Sequence, residues 1–221
     1  MKSLCFIPAR GGSKRLPRKN ILKINGVPLI TRVANICKDA GIFDSIVVST
    51  DDLEIKEICL LNDVKVHDRN NKLGQDRSTV VEVMLDLLKS FKCDNFCCVY
   101  PTSCLLKPLT LKESYNKFVS DNSINVLMGS SKYNYHPVQA LVLKEGGLAV
   151  PLLPSYKNVQ SQFYPEVRVS NGSFYWARKH TFLKEKTFYS KKLGLFDVTP
   201  SQVCDINTIE DFLEVKSILA P

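Results

Sequence analysis

Ile7-Pro8-Ala9-Arg10-Gly11-Gly12-Ser13-Lys14-Arg15-Leu16-Pro17-Arg18-Lys19-Asn20 continues the short apolar run that starts at Ser3. That run, closed by Pro8, reads as a buried first strand. After it come two adjacent glycines and five cations, Arg10, Lys14, Arg15, Arg18 and Lys19. Adjacent glycines tolerate positive φ and carry no Cβ, so backbone amides can turn inward into an anion-binding concavity. Guanidinium forks and lysine point charges then match a polyphosphate. A basic loop is more usually a solvated surface or a non-specific nucleic-acid contact. Its place behind a buried strand, where open α/β sheets bind ligands, favours a nucleoside triphosphate. Neither G-x-x-x-x-G-K-[ST] nor G-x-G-x-x-G occurs, so neither a P-loop NTPase nor a dinucleotide dehydrogenase is indicated.

Outward from this loop the chain alternates strand and helix signals. Residues 28–40 have helical spacing, with Ile30, Val33, Ala34 and Cys37 on one face, Pro28 in the first turn and Gly41 as the stop. Ser45 to Ser49 reads as a second strand, Asp52 as the cap of a helix through Leu61, and Val64 to Val66 as a third strand. Residues 67–77 are polar and aperiodic, hence a loop. Thr79-Val80-Val81-Glu82 is a capping box, and Thr110-Leu111-Lys112-Glu113 looks like another. Phe96 to Val99 is wholly apolar and expected at the sheet centre. Asn125 to Gly129 is a further strand. This order predicts an α/β fold with a mostly parallel sheet and helices on its faces.

From Ser130 the texture changes. Gln139 to Lys144 and Leu148 to Leu152 flank Glu145-Gly146-Gly147, a hairpin signal. Residues 154–170 are aromatic and irregular, which points to an excursion over the site mouth or into a partner subunit. Gly172 to Trp176 returns as a strand, and Thr208-Ile209-Glu210-Asp211 caps a last helix. The expectation is one domain over 1–221, with a hairpin-bearing insertion at 130–170 near the site or a dimer interface.

Bulk properties bound the function. The 221 residues suffice for one domain with a sizeable core. A net charge of +8 favours an anionic substrate, although RNA or an acidic membrane surface would fit charge alone equally well. No stretch approaches the roughly 18 apolar residues of a membrane span, and no signal peptide is visible. The eight cysteines have no C-x-x-C spacing. A zinc site and a disulfide scaffold are therefore not expected, and a reducing cytoplasmic compartment is.

Several islands together resemble the sugar-acid cytidylyltransferases, the N-acylneuraminate cytidylyltransferases and their pseudaminic and legionaminic acid relatives. They are Ile7 to Ile21, Ser49-Thr50-Asp51-Asp52, Arg69 to Val80, Tyr100-Pro101-Thr102-Ser103, Gln162, Asn171-Gly172 with Tyr175, and Asp205-Ile206-Asn207-Thr208 before Glu210-Asp211-Phe212. The resemblance implies a Rossmann-like three-layer fold, a homodimer lending residues across its interface, and transfer of CMP from CTP to a nine-carbon keto-sugar acid. It also implies Mg²⁺. By matching position, Arg10, Lys14 and Lys19 would hold the triphosphate beside Gly11 and Gly12. Ser13, Asn20, Arg69 and Ser78 would line the cytidine pocket. Tyr100, Gln162, Asn171 and Tyr175 would face the sugar, and Asp205 with Asn207 the metal. Membrane or nucleic-acid partners are not implied. Without that context, Asp205 is equally a turn or cap residue before a helix, and Asn171 and Tyr175 are ordinary turn and core residues.

The sequence also departs from the pattern. Asp205-Ile206-Asn207 stands where sialic acid enzymes commonly carry Asp-Ile-Asp. Tyr100 and Leu106 replace a glutamine and an arginine, Gln160-Ser161-Gln162 replaces a more basic island, and Val80 replaces a serine near the cytosine. Tyr100, Asn207 and Phe174-Tyr175-Trp176 are closer to the pseudaminic branch, whereas Ser78-Thr79-Val80-Val81 is not. The exact sugar stays open. So do two alternatives, an enzyme for the eight-carbon acid Kdo and a non-catalytic basic nucleotide- or RNA-binding module.

Overall fold

In a computed structural model describing residues 1–75 and 77–220, strand β1 (Ser3–Pro8) is almost wholly buried. Its alternate side chains serve two cores. Cys5 and Ile7 face one side of the sheet, Leu4 and Phe6 the other. A strand buried on both faces cannot alternate apolar with polar, which is why the run is continuous.

The chain then forms a minute hairpin, β2 (Lys23–Ile24) and β3 (Val27–Pro28), across Asn25-Gly26. Both turn residues have positive φ, 51° and 78°, which suits a tight hairpin. Helix α1 (Leu29–Ala40) follows and stops at Gly41, left-handed with φ 65°. β4 (Ser45–Thr50), α2 (Leu53–Leu61), β5 (Lys65–Asp68), α3 (Val80–Ser90) and β6 (Asn95–Val99) complete the first half. Asp52 caps α2 by accepting from Ile55 N at 3.0 Å. Thr79 and Glu82 form the reciprocal box on α3. Asp76, within the loop expected over 67–77, and Pro221 lie outside the described residues.

The second half contains α4 (Pro108–Ser120), β7 (Val126–Ser131), the hairpin β8 (Leu141–Leu143) and β9 (Ala149–Pro151), β10 (Val169–Arg178), α5 (Lys179–Glu185), β11 (Leu193–Asp197) and α6 (Ile209–Ile218). The expected capping box at Thr110 is corrected. α4 begins earlier, with Pro108 at its first position, where a missing N–H is harmless. Gln202 Oε1 caps it instead, accepting from Lys107 N at 2.9 Å and from Thr110 Oγ1 at 2.7 Å.

Seven strands make one sheet in the order β11-β7-β10-β6-β1-β4-β5. β6 is its middle strand, and β10 alone runs antiparallel to its neighbours. α1, α2, α4 and α6 pack on one face, α3 and α5 on the other. This is a three-layer Rossmann-like arrangement. Trp176 is fully buried, stacks between Phe43 and Phe118 and donates its indole N–H to Ser114 Oγ at 2.9 Å. No helix among the described residues is long and apolar enough to cross a membrane.

Candidate active site

The loop after β1 is held by its own polar atoms and by the end of β4. Ala9 N donates to Ser49 O at 2.9 Å and Gly11 N to Asp51 Oδ1 at 3.1 Å. Asn20 Nδ2 returns to Arg10 O at 2.9 Å and closes the loop on itself. The expected reason for the glycines is corrected. Neither Gly11 nor Gly12 has positive φ; the left-handed residue of this loop is Arg18, φ 55°. Gly11 is required by space, because a Cβ there would come within 2.4 Å of Asp52 Oδ2, whereas Gly12 stands open. Neither glycine lines the cavity described next, and the Gly11 amide is directed at a carboxylate.

The cations divide into two groups. Arg18 forks onto Asp52 at 2.5 and 3.0 Å and also reaches Glu54, so it fastens the loop to the start of α2. The paired guanidinium pulls the Asp52 carboxyl below its ordinary range. Arg10, Lys14, Arg15 and Lys19 instead line a cavity of about 820 Å³ above the sheet's strand ends. Lys19 Nζ donates to Ile206 O at 2.6 Å and ties the loop to the segment carrying Asp205. Burial lowers the Lys19 pKa, Asp205 opposes that, and Arg15 and Arg10 add to it.

Strand ends and helix starts supply the remaining wall. Arg69, just past β5, is buried, donating from Nη2 to Ser49 O at 2.7 Å and from Nε to Ser49 Oγ at 3.3 Å. Ser78 lines the cavity before α3 and donates its hydroxyl to Lys72 O. Tyr100, after β6, meets Tyr175 of β10 edge to face at 5.9 Å. Burial raises both phenols, so each is a neutral hydroxyl at physiological pH. Tyr175 OH lies 2.9 Å from Ser170 Oγ. Asn171 accepts from Ser173 N and Oγ and donates to Ser131 Oγ, so most of its amide shapes the turn before Gly172, φ 69°.

Asp205 and Asn207 also line this cavity. They lie on an irregular segment between a turn at Pro200–Gln202 and α6, whose cap is Thr208 with Asp211. Asn207 Nδ2 donates to Asp205 Oδ2 at 2.7 Å, leaving the Asn207 carboxamide oxygen outside that bond. No cluster of three or more His, Cys, Asp or Glu side chains able to hold a metal occurs among the described residues. One carboxylate with a neutral oxygen suits Mg²⁺ shared with phosphate oxygens and water rather than a cage made by protein alone.

Of the residues anticipated from sequence, Arg10, Ser13, Lys14, Lys19, Asn20, Arg69, Ser78, Tyr100, Asn171, Tyr175, Asp205 and Asn207 share this one cavity. Gln162 does not. It is exposed on a turn at Ser161–Phe163, its amide bonded to Gln160 Oε1 at 2.6 Å. Arg15, one of the five loop cations, also lines it, whereas Thr102, Ser131, Tyr189 and Cys204 were not anticipated as lining residues. Tyr189 lies inside the lysine-rich run Lys184 to Lys192, and its local signal is the aromatic pair with Phe188.

Residues 4–212 match the sequence profile of the cytidylyltransferase family. The chain belongs to that family. It is 36% identical to the pseudaminic acid cytidylyltransferase of Campylobacter jejuni, over 99% of this chain and 96% of that protein. It is 31% identical to the N-acylneuraminate cytidylyltransferase of Streptococcus agalactiae, over 97% of this chain and 52% of that one. A solved CMP:2-keto-3-deoxy-manno-octonic acid synthetase complexed with CTP superposes with a TM-score of 0.76 at 16% identity, covering 99% of this chain and 98% of its own. At that identity the likeness establishes the fold alone. In this cytidylyltransferase the cationic loop, the Asp205 segment and the Tyr100–Tyr175 wall meet around one cavity of a size usual for small-molecule sites.

Proposed function

We propose that this cytidylyltransferase couples CTP to a nonulosonic acid of the pseudaminic, sialic or legionaminic type, giving the CMP-sugar and pyrophosphate. The observation that carries the reading is the single cavity joining four loop cations and Asp205 to Tyr100, Asn171 and Tyr175. Full-length similarity to a pseudaminic acid enzyme supports placing that acid first among the candidates.

The chemistry follows from the wall. A sugar hydroxyl attacks the α-phosphorus in line, and the β,γ-pyrophosphate leaves with growing negative charge. Arg10, Lys14, Arg15 and Lys19 neutralise that charge, held ready by the Asn20, Asp51 and Ile206 contacts. Arg69 and Ser78 lie on the nucleotide side; Tyr100 and Tyr175 orient the acceptor, and their neutral hydroxyls add hydrogen bonds without charge. Asp205 and Asn207 would hold Mg²⁺, which supplies Lewis-acid neutralisation of the triphosphate.

We further infer a homodimer built on the β8–β9 hairpin. Leu141, Leu143 and Leu148 there are 62%, 80% and 71% exposed, an apolar surface that a second copy would cover. Eight free thiols agree with a reducing, cytoplasmic setting.

Purified protein incubated with CTP, Mg²⁺ and separate pseudaminic, legionaminic, N-acetylneuraminic and Kdo acids should release pyrophosphate with a nine-carbon acid. Release with Kdo alone, or with none while a reference synthetase works alongside, would overturn the proposal.

A further inference from the structure

Under the nucleotide side of the cavity, four side chains connect Arg69 to the outer layer of the protein. Ser49 on β4 and His67 on β5 are register partners, so their side chains share the sheet face covered by α3. Ser49 Oγ lies 3.1 Å from His67 Nδ1 and accepts from Arg69 Nε at 3.3 Å. On the far side His67 Nε2 is 3.7 Å from Asp86 Oδ2 on α3, and Phe91 packs edge-on against the ring. The His67 side chain is only 10% exposed.

Asp86, an acceptor beside Nε2, favours the His67 tautomer that carries its proton there. A guanidinium donates and cannot accept, so the Ser49 proton is free to go to His67 Nδ1. Nδ1 is then the acceptor, and the imidazole is neutral with its proton on Nε2, toward Asp86. Ser49 O and Oγ together engage two of the five guanidinium N–H groups, leaving the others for a ligand in the cavity.

We propose that His67 is a positioning residue for nucleotide binding: through the Ser49 hydroxyl it helps to set the guanidinium of Arg69 against the cavity, and protonation of His67 loosens that setting. The inference rests on the reading that Arg69 faces the cytidine half of CTP.

The direction of the pH effect follows from the surroundings. Burial lowers the His67 pKa below 6.5 and the Arg69 charge adds to this, while Asp86 and Asp68 oppose it. Asp86 is shared with Lys89 and Asp68 with Lys56, which weakens both opposing carboxylates. His67 is therefore neutral at pH 7 and gains its proton only on the acid side. Once cationic, its Nδ1–H points a second donor at Ser49 Oγ, displaces the serine proton from its acceptor, and sets a positive charge beside the guanidinium. The Oγ half of the hold on Arg69 is weakened while the Nη2 bond to Ser49 O remains, with no change at the reacting phosphorus.

The test is steady-state pyrophosphate release with CTP as the varied substrate, from about pH 5 to about pH 8. His67→Asn puts a non-titrating carboxamide oxygen in reach of Ser49, and His67→Leu removes the acceptor. The wild type should show a KM for CTP that rises in acid with kcat little changed. His67→Leu should raise KM about fivefold throughout, the worth of one hydrogen bond. His67→Asn should restore the neutral-pH KM and lose the enzyme-specific acid rise. An Asn variant that keeps the full acid rise, or a loss confined to kcat, would overturn the proposal, and the Asn profile decides even if His67→Leu does not fold. Arg69→Ala separates the two levels of inference. If it leaves KM for CTP unchanged, the placement of Arg69 on the nucleotide fails; if it raises KM while both His67 variants match wild type, His67 alone is excluded.

Discussion

Replacing Lys19 with methionine keeps the aliphatic stem but removes the charge and the donor that meet Ile206 O at 2.6 Å. A hydrogen bond from a charged group contributes about 1.5–3 kcal/mol, offset here because burial already disfavours the ammonium. A net stability loss of about 1 kcal/mol is expected, a fall of about 2–4 °C in Tm for a chain this long. The loss in turnover should be far larger. Lys19 lines the cavity within the field of Asp205, Arg10 and Arg15, where on the function proposed above a leaving pyrophosphate would gather charge. Removing one fixed donor from such a place costs about 10²-fold or more in kcat. Lys19 also carries a pH signature. Its pKa lies below 10.5, so the cation is lost at lower pH than for a free lysine, and activity should fall along an alkaline limb that begins early. The stability penalty of the buried charge runs oppositely: it is complete below the lowered pKa and is relieved as pH climbs toward 10.5, where the unfolded chain still binds more protons. Lys19→Arg, which does not titrate in that range, should lose the alkaline limb. Pyrophosphate release across pH, beside thermal melts, reads both effects. A folded Lys19→Met protein with unchanged kcat/KM would refute the argument.

Three further outcomes are expected. Gly11→Ala would drive its Cβ into Asp52 and disturb the Arg18 fork; overpacking of this kind costs about 1–3 kcal/mol, readable as a lower denaturant midpoint together with reduced activity, and an unaffected variant would show that the loop shifts freely. Asp205→Asn should move the magnesium activation curve to higher concentration at similar stability, and a superimposable curve would remove Asp205 from the metal site. Leu143→Glu, at a side chain 80% exposed, should lower the mass seen by sedimentation from dimer to monomer with secondary structure intact; a variant that stays dimeric would move the interface elsewhere.

The nucleotide half of the fold was readable because its signals are local. A continuous apolar run, a left-handed stop at Gly41, and the caps at Asp52 and Thr79 depend on neighbours a few residues away. The reversed direction of β10 had no such marker, since a strand buried on both faces looks the same either way. The true cap of α4 was equally invisible, because Gln202 reaches it from 92 residues away. Twelve of the residues matched through the resemblance line one cavity, and the structure adds local contacts that the match does not show. Asn20 and Asn171 turned out to brace backbone, and Gly11 to make room for a carboxylate. Tyr189 was not legible, since a charge run does not show which of its side chains turn inward.

The lone reversed strand has an engineering consequence. Since β10 runs against β6 and β7, its first residues, not its last, arrive at the ligand end of the sheet. Asn171 and Tyr175 are therefore delivered directly by the segment that also holds the β8–β9 hairpin, and Ser131 opens that same segment from β7. On the function proposed above, acceptor recognition apart from Tyr100 would fall in one uninterrupted cassette of chain, while the basic loop, Arg69 and Ser78 lie wholly upstream of it. Grafting residues 131–175 between homologous enzymes would exchange that cassette with the triphosphate grip left in place, a route to new sugar preference that a sheet of uniformly parallel strands would not offer.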